Sequence, residues 1–276
     1  MLEPNSKASY ISSPPPYSER DLTQNETGKY ESTSDLVIGI DFGTTFTGVA
    51  YAHTAGVFGN AKHLTTEDMR KAAERIHVVR TWPSQSNYYA EKTPSIISYN
   101  TDPPNWGARV RPGDKPQVAY FKLGLQEGLQ NHYNAQTPSN HLSGLSSYLS
   151  DNNWRHPDLP TKTSVDYVTD YLKCIYDHIS HQVLPARYGP QFLMNQQISY
   201  VLTVPAIWSD KAKDFTRKAA IVAGIPEKKL AIISEPEAAA LYCATLCNQS
   251  DLCKGDKFLV CDAGGGTVVW LSSVYL

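Results

Sequence analysis

Two short stretches, far apart in the chain, carry the same arrangement of residues able to hold an anion. Val37-Ile38-Gly39-Ile40-Asp41-Phe42-Gly43-Thr44-Thr45 and Leu259-Val260-Cys261-Asp262-Ala263-Gly264-Gly265-Gly266-Thr267 each run from apolar residues to an aspartate and then to glycine and threonine. Glycine lacks a Cβ, so the backbone can approach phosphate oxygens and present its N–H groups as a nest. Threonine hydroxyls add donors. An aspartate just past a strand can hold magnesium through the waters that this hard cation retains. Gly43, Thr44, Thr45, Gly264, Gly265, Gly266 and Thr267 are therefore the candidate phosphate ligands, and Asp41 and Asp262 the candidate metal ligands. One such segment alone is a common strand ending. Two in the same order suggest internal duplication and a polyphosphate clamped between hairpins of two lobes, whose closure couples binding to shape. The Gly-Lys-Ser/Thr phosphate loop and the spaced-glycine dinucleotide fingerprint are absent.

Strands and helices must position these turns. Leu36 to Ile40 and Phe46 to Ala52 read as a strand pair around the first turn, with further strands at Val78 to Trp82, Ser95 to Tyr99 and Ile198 to Thr203. Residues 53 to 76 read as an insertion with a helical piece from Thr66 to Ile76. Val165, Val168, Leu172, Ile175, Ile179 and Val183 recur at helical steps, with Thr163 or Ser164 as cap and Pro185 as stop. Ser209 caps a second helix in which Ala212, Phe215, Ala219 and Val222 share a face, closed by Gly224 and Pro226. A third starts at Glu235-Pro236. The stretch between Gly124 and Pro160 has no clear period.

A chain of 276 residues, 41% hydrophobic and 19% charged, can bury a substantial core. Its formal charge of −2 gives no basic footprint for nucleic acid or an anionic membrane. No stretch reaches the roughly 18 apolar residues of a membrane span, and the N-terminus lacks a signal-peptide pattern. The five cysteines, Cys174, Cys243, Cys247, Cys253 and Cys261, are odd in number, sit mostly in apolar runs and match no compact zinc spacing. A reducing, cytoplasmic setting is the expectation. Residues 1 to about 34 are rich in Ser, Pro, Glu, Asn and Thr and read as a disordered tail. Within it Pro14, Pro15, Pro16 and Tyr17 form a PPxY sequence suited to a WW-domain partner.

With the two turns in view, the chain resembles the actin, sugar-kinase and 70-kDa heat-shock protein superfamily. Within it the chain is similar to the divergent branch typified by heat shock 70 kDa protein 12 and its fungal relatives. Val204-Pro205-Ala206-Ile207-Trp208, followed by a helix to Ala223-Gly224, resembles the family's proline-switch segment. Ile233-Ser234-Glu235-Pro236-Glu237-Ala238-Ala239-Ala240 resembles its Glu-Pro-x-Ala-Ala-Ala helix start. The resemblance implies an α/β, actin-like ATPase (ribonuclease H-like) fold, with a first lobe over residues 35–252 and only the start of a second over 253–276. It implies ATP and Mg2+ as cofactors, and client proteins or co-chaperones as partners. It makes Lys122, in Tyr120-Phe121-Lys122-Leu123, the counterpart of a catalytic lysine that positions the attacking water. Glu235 would face the nucleotide and transmit its state, with Asp41 completing the catalytic set. Pro205 would be an allosteric relay, served by Lys213 where an arginine is expected.

Two departures temper activity. Val269 stands where the family pattern leads one to expect an aspartate, and the sequence stops at Leu276, before a second lobe or an adenosine-binding loop is complete. The expectation is a truncated product with weak or no turnover. A sugar or metabolite kinase of the same superfamily, and a non-catalytic interaction module, are the competing readings.

Overall fold

The computed structural model describes residues 36–53, 66–84, 89–126, 156, 158–189, 191, 196–246, 257–264 and 268–274. The N-terminal tail with its PPxY sequence, most of 124–160, and Gly265, Gly266 and Thr267 lie outside them.

Alternation within one strand separates core from cleft. In β1 (Leu36–Phe42), Leu36, Ile38, Ile40 and Phe42 are buried, while Val37, Gly39 and Asp41 take the other face. Each fully buried aliphatic contributes about 1.5–3 kcal/mol, so a slip of one residue would expose the whole set and is strongly disfavoured. β1 pairs antiparallel with β2 (Phe46–His53) and parallel with β8 (Ile198–Val204), which pairs parallel with β9 (Leu230–Ser234). β3 (His77–Val78) and β4 (Lys92–Pro94) both join β2, giving a six-stranded mixed sheet of order β3-β2-β1-β8-β9 with β4 off that path. β5 (Ile96–Ser98), β6 (Asn105–Trp106) and β7 (Gln117–Ala119) form a separate small sheet. β10 (Lys257–Ala263) and β11 (Val268–Val274) form a second hairpin. This mixed α/β architecture is consistent with the expected fold class.

Helices cover the core face. α1 (Thr66–Ala73) ends earlier than its sequence suggests. α2 (Ser164–His178) is started by a capping box in which Thr163 and Asp166 serve each other's backbone N–H, and it buries Tyr167, Val168, Tyr171, Leu172 and Ile175. The expected stop at Pro185 does not occur: a π-helical turn, Ile179–Val183, leads into α3 (Leu184–Tyr188) with Pro185 in its first turn, where no N–H is needed. The chain leaves the helix at Gly189, with φ 97°. α4 (Asp210–Val222) is capped by Ser209 and ends at Gly224, φ 114°. Its buried face is Ala212, Thr216, Ala219 and Ala220, so Val222, expected on it, is instead exposed. Only His77–Val78 pairs in the strand expected to reach Trp82, with Thr81 bridged singly to Tyr89. α5 (Glu235–Leu246) follows β9 directly, its first turn closed by mutual hydrogen bonds between Ser234 and Glu237.

Candidate functional site

The two suspected phosphate turns are both hairpins with the same register. Phe42 pairs with Thr47 and Ala263 with Val268, so each hairpin has four residues between its last paired positions. Asp41 and Asp262 each sit one residue before the last paired position, opposite Gly48 and Val269 respectively. The equivalence suggested by the sequence thus extends to a matched strand register.

Gly39, Asp41, Gly48, Ala50, Val201 and Thr203 form part of the lining of a cleft of about 730 Å³. Registers explain their meeting: Gly39 pairs with Ala50 and Val201, and Asp41 with Gly48, so one row of each strand faces the opening. Three of these residues are Gly or Ala, which leaves room for a ligand over the sheet. Thr44, Thr45, Lys122, Glu235 and Gly264 also line the cleft.

The first turn is braced from behind. The Ser95 hydroxyl donates to the Gly43 carbonyl at 2.8 Å and lies 2.9 Å from the Thr47 hydroxyl, and the Ser95 N–H donates to the Thr45 carbonyl at 2.8 Å. A methyl at Gly43 would collide with the Phe46 carbonyl, so this turn requires glycine for close approach.

Lys122 is not a surface residue. Tyr120 adopts the left-handed conformation, φ 58°, at a cost of about 1–2 kcal/mol for a residue with a Cβ, and so turns the chain from β7 into the 3-10 turn Phe121–Leu125. Lys122 then points inward and is 2% exposed. Its ammonium donates to the Phe42 carbonyl and to Glu235 Oε1, and stands 5.4 Å from the ring centroids of both Phe42 and Trp208. A buried ammonium is tolerated because carboxylate, carbonyl and π faces replace its water. Glu235 thus serves as the counter-ion of Lys122 from the first residue of α5, while the capping role belongs to Ser234.

Asp41 has two partners that sequence reasoning missed. Thr203 Oγ1 donates to its Oδ1 at 3.3 Å, and the Lys92 ammonium lies 2.7 Å from its Oδ2. No local spacing flags either; both arrive by strand pairing. The side chain of Asp262 and residues 265–267 lie outside what the structure describes; among the described residues Gly264 represents that hairpin in the cleft.

The donor set suits a polyphosphate: a glycine turn, threonine hydroxyls and two ammonium groups converge on one opening. Among the described residues no group of three or more His, Cys, Asp and Glu could cage a metal. Asp41 brings a single carboxylate to the cleft, one oxygen bonded to Thr203 and the other to Lys92. No helix among the described residues is long and apolar enough to cross a membrane.

No family model matches the chain. It is 30% identical over 234 residues to heat shock 70 kDa protein 12A of Homo sapiens, a match covering 76% of the chain and 29% of that relative. Heat shock 70 kDa protein 12B of Homo sapiens is 26% identical over 233 residues, covering 78% and 29% respectively. The chaperone protein HscA homolog of Acinetobacter baumannii is 27% identical over 232 residues, covering 84% and 31%. The chain thus spans less than a third of the length of each of these relatives.

Proposed function

The chain is a divergent member of the heat-shock-70-like family, and on that premise we propose that it is an ATP-binding unit of a chaperone ATPase. In this reading residues 35–252 form the first lobe of an actin-like nucleotide-binding domain and 253–276 begin the second. The observation that carries it is the matched pair of hairpins, each with an aspartate at the same register before a glycine turn, both reaching one cleft.

Gly43, Thr44 and Thr45 would hold one side of the polyphosphate, and Gly264, Gly265, Gly266 and Thr267 the other. Magnesium, when bound, would offset phosphate charge, with Asp41 and Asp262 orienting its waters. Lys122 would neutralise charge at the reacting phosphate and orient the attacking water. Its link to Glu235 gives a route from nucleotide state to α5, since a phosphate drawing on the Lys122 ammonium weakens its hold on the first residue of that helix. Val269, lacking a carboxylate opposite Asp262, favours slow turnover. Client proteins or co-chaperones are the partners that this family reading suggests, in a cytoplasmic setting.

Calorimetric titration with Mg-ATP, beside phosphate release with and without added sugars, tests the reading. Saturable ATP binding that is weakened by Asp41→Asn supports it, and release without sugar assigns ATPase rather than kinase chemistry. A folded chain that shows no heat with ATP overturns it.

A further inference from the structure

Lys92 reaches Asp41 across a neighbouring strand. Gly48 pairs with Lys92 on one side and with Asp41 on the other, so the three residues form one row over β4, β2 and β1. At the usual strand spacing, the backbones of Lys92 and Asp41 lie about 10 Å apart. Gly48 permits the bridge. A methyl placed there would meet the Lys92 stem, 3.3 Å from its Cγ and 3.5 Å from its Cε, which shows that the stem lies directly over the glycine. The ammonium then sits 2.7 Å from Asp41, with Lys92 53% and Asp41 44% exposed at the side chain. An ion pair this exposed is weakly held. It can rearrange as a ligand enters, and all three residues line the cleft.

We propose that Lys92 is a resident cation of this cleft: a tethered ammonium that pairs with the carboxylate otherwise available to a divalent ion and turns to an incoming polyphosphate. The inference rests on the nucleotide reading above. Two consequences follow from charge alone. A divalent ion at Asp41 must displace Lys92, which weakens the benefit of adding that ion. Without the ion, Lys92 still offers positive charge to the phosphates, which lets ATP bind under chelation. Among the described residues β10 pairs with β11 alone, and Val269 holds the position opposite Asp262 that Gly48 holds opposite Asp41.

The test is calorimetry of ATP on the full chain, in magnesium and in EDTA, for the parent, Lys92→Met, Lys92→Arg and Gly48→Ala, each shown folded by its thermal melt. Methionine keeps the stem over Gly48 and removes the charge. The parent is expected to bind ATP in EDTA. Lys92→Met should lose about tenfold in EDTA and much less in magnesium, a size set by one charge-assisted contact. Lys92→Arg should restore EDTA binding, and Gly48→Ala, which displaces the stem, should fall between parent and Lys92→Met. An equal loss in both conditions, or no loss in either, overturns the proposal while leaving the nucleotide reading intact. A parent chain that binds ATP in neither condition overturns both.

Discussion

The ammonium of Lys122 lies 2.5 Å from the carboxylate of Glu235, 113 residues further along the chain, with only 3% and 13% of the two side chains exposed. This contact joins the 3-10 turn after β7 to the start of α5 and closes one wall of the cleft. Its energetics are asymmetric. Removing the acid strands an ammonium beside two aromatic rings, whereas removing the base leaves a carboxylate near solvent at a helix N-terminus, where the dipole favours it.

Glu235→Ala should therefore destabilise more than Lys122→Met. Breaking a buried pair costs about 3–5 kcal/mol, and partial exposure of Glu235 places its loss near the lower end. Methionine fills the space between Phe42 and Trp208 and should cost about 1 kcal/mol, as a volume-conserving swap. Urea denaturation midpoints measure the difference. Equal midpoints for the two variants would show that the Lys122–Glu235 pair does not constrain the fold in this way.

Gly43→Ala should damage stability and ligand binding together. The added methyl meets the Phe46 carbonyl, a backbone atom that cannot swing aside, and overpacking of this kind costs about 1–3 kcal/mol. Gly39→Ala is the control on the same strand. Its methyl would meet the Ala50 carbonyl at 3.8 Å, an ordinary contact, so its thermal midpoint should stay near that of the parent. A Gly43→Ala protein as stable as Gly39→Ala would mean that the turn relaxes without cost.

Ser95→Ala tests the brace behind that turn. It removes the donor to the Gly43 carbonyl and one partner of the fully buried Thr47 hydroxyl. Leaving buried groups short of a partner costs about 1–3 kcal/mol. Thermal denaturation should register the loss, and hydrogen exchange at Thr45 and Phe46 should quicken. Unchanged exchange there would show that the Ser95 hydroxyl does not hold the turn.

Much of this was legible locally. The strand–aspartate–glycine pattern is read within ten residues, and both hairpins formed where it stood; the caps at Thr163 and Ser209 are likewise local signals. What escaped depends on distance in sequence. Tyr120-Phe121-Lys122-Leu123 equally suits a snorkelling surface lysine, and only tertiary packing brings Glu235 and Trp208 to it. Lys92 precedes Thr93-Pro94 in an unremarkable segment, and its role comes from pairing across Gly48. Val222 fits the helical period yet falls outside the buried stripe, because the alanines and Thr216 rotate that stripe toward α2.

Cysteine chemistry gives a last prediction with a definite sign. Burial, reinforced by the carboxylates of Asp170 and Asp177, pushes the Cys174 thiol up to about 12, whereas Cys243 and Cys261 are exposed. In the unfolded chain a thiol titrates near about 8.5. The folded state therefore holds its proton to higher pH. Its contribution to stability is complete below the unfolded value and declines as pH rises from there toward 12. Denaturation midpoints should accordingly fall above about pH 8.5 in the parent and fall less steeply in Cys174→Ala. Near neutral pH, thiol labelling followed by peptide mass mapping should mark Cys243 and Cys261 before the partly buried Cys174. Labelling of Cys174 in the folded protein at the rate of Cys243 would contradict its packing against the core.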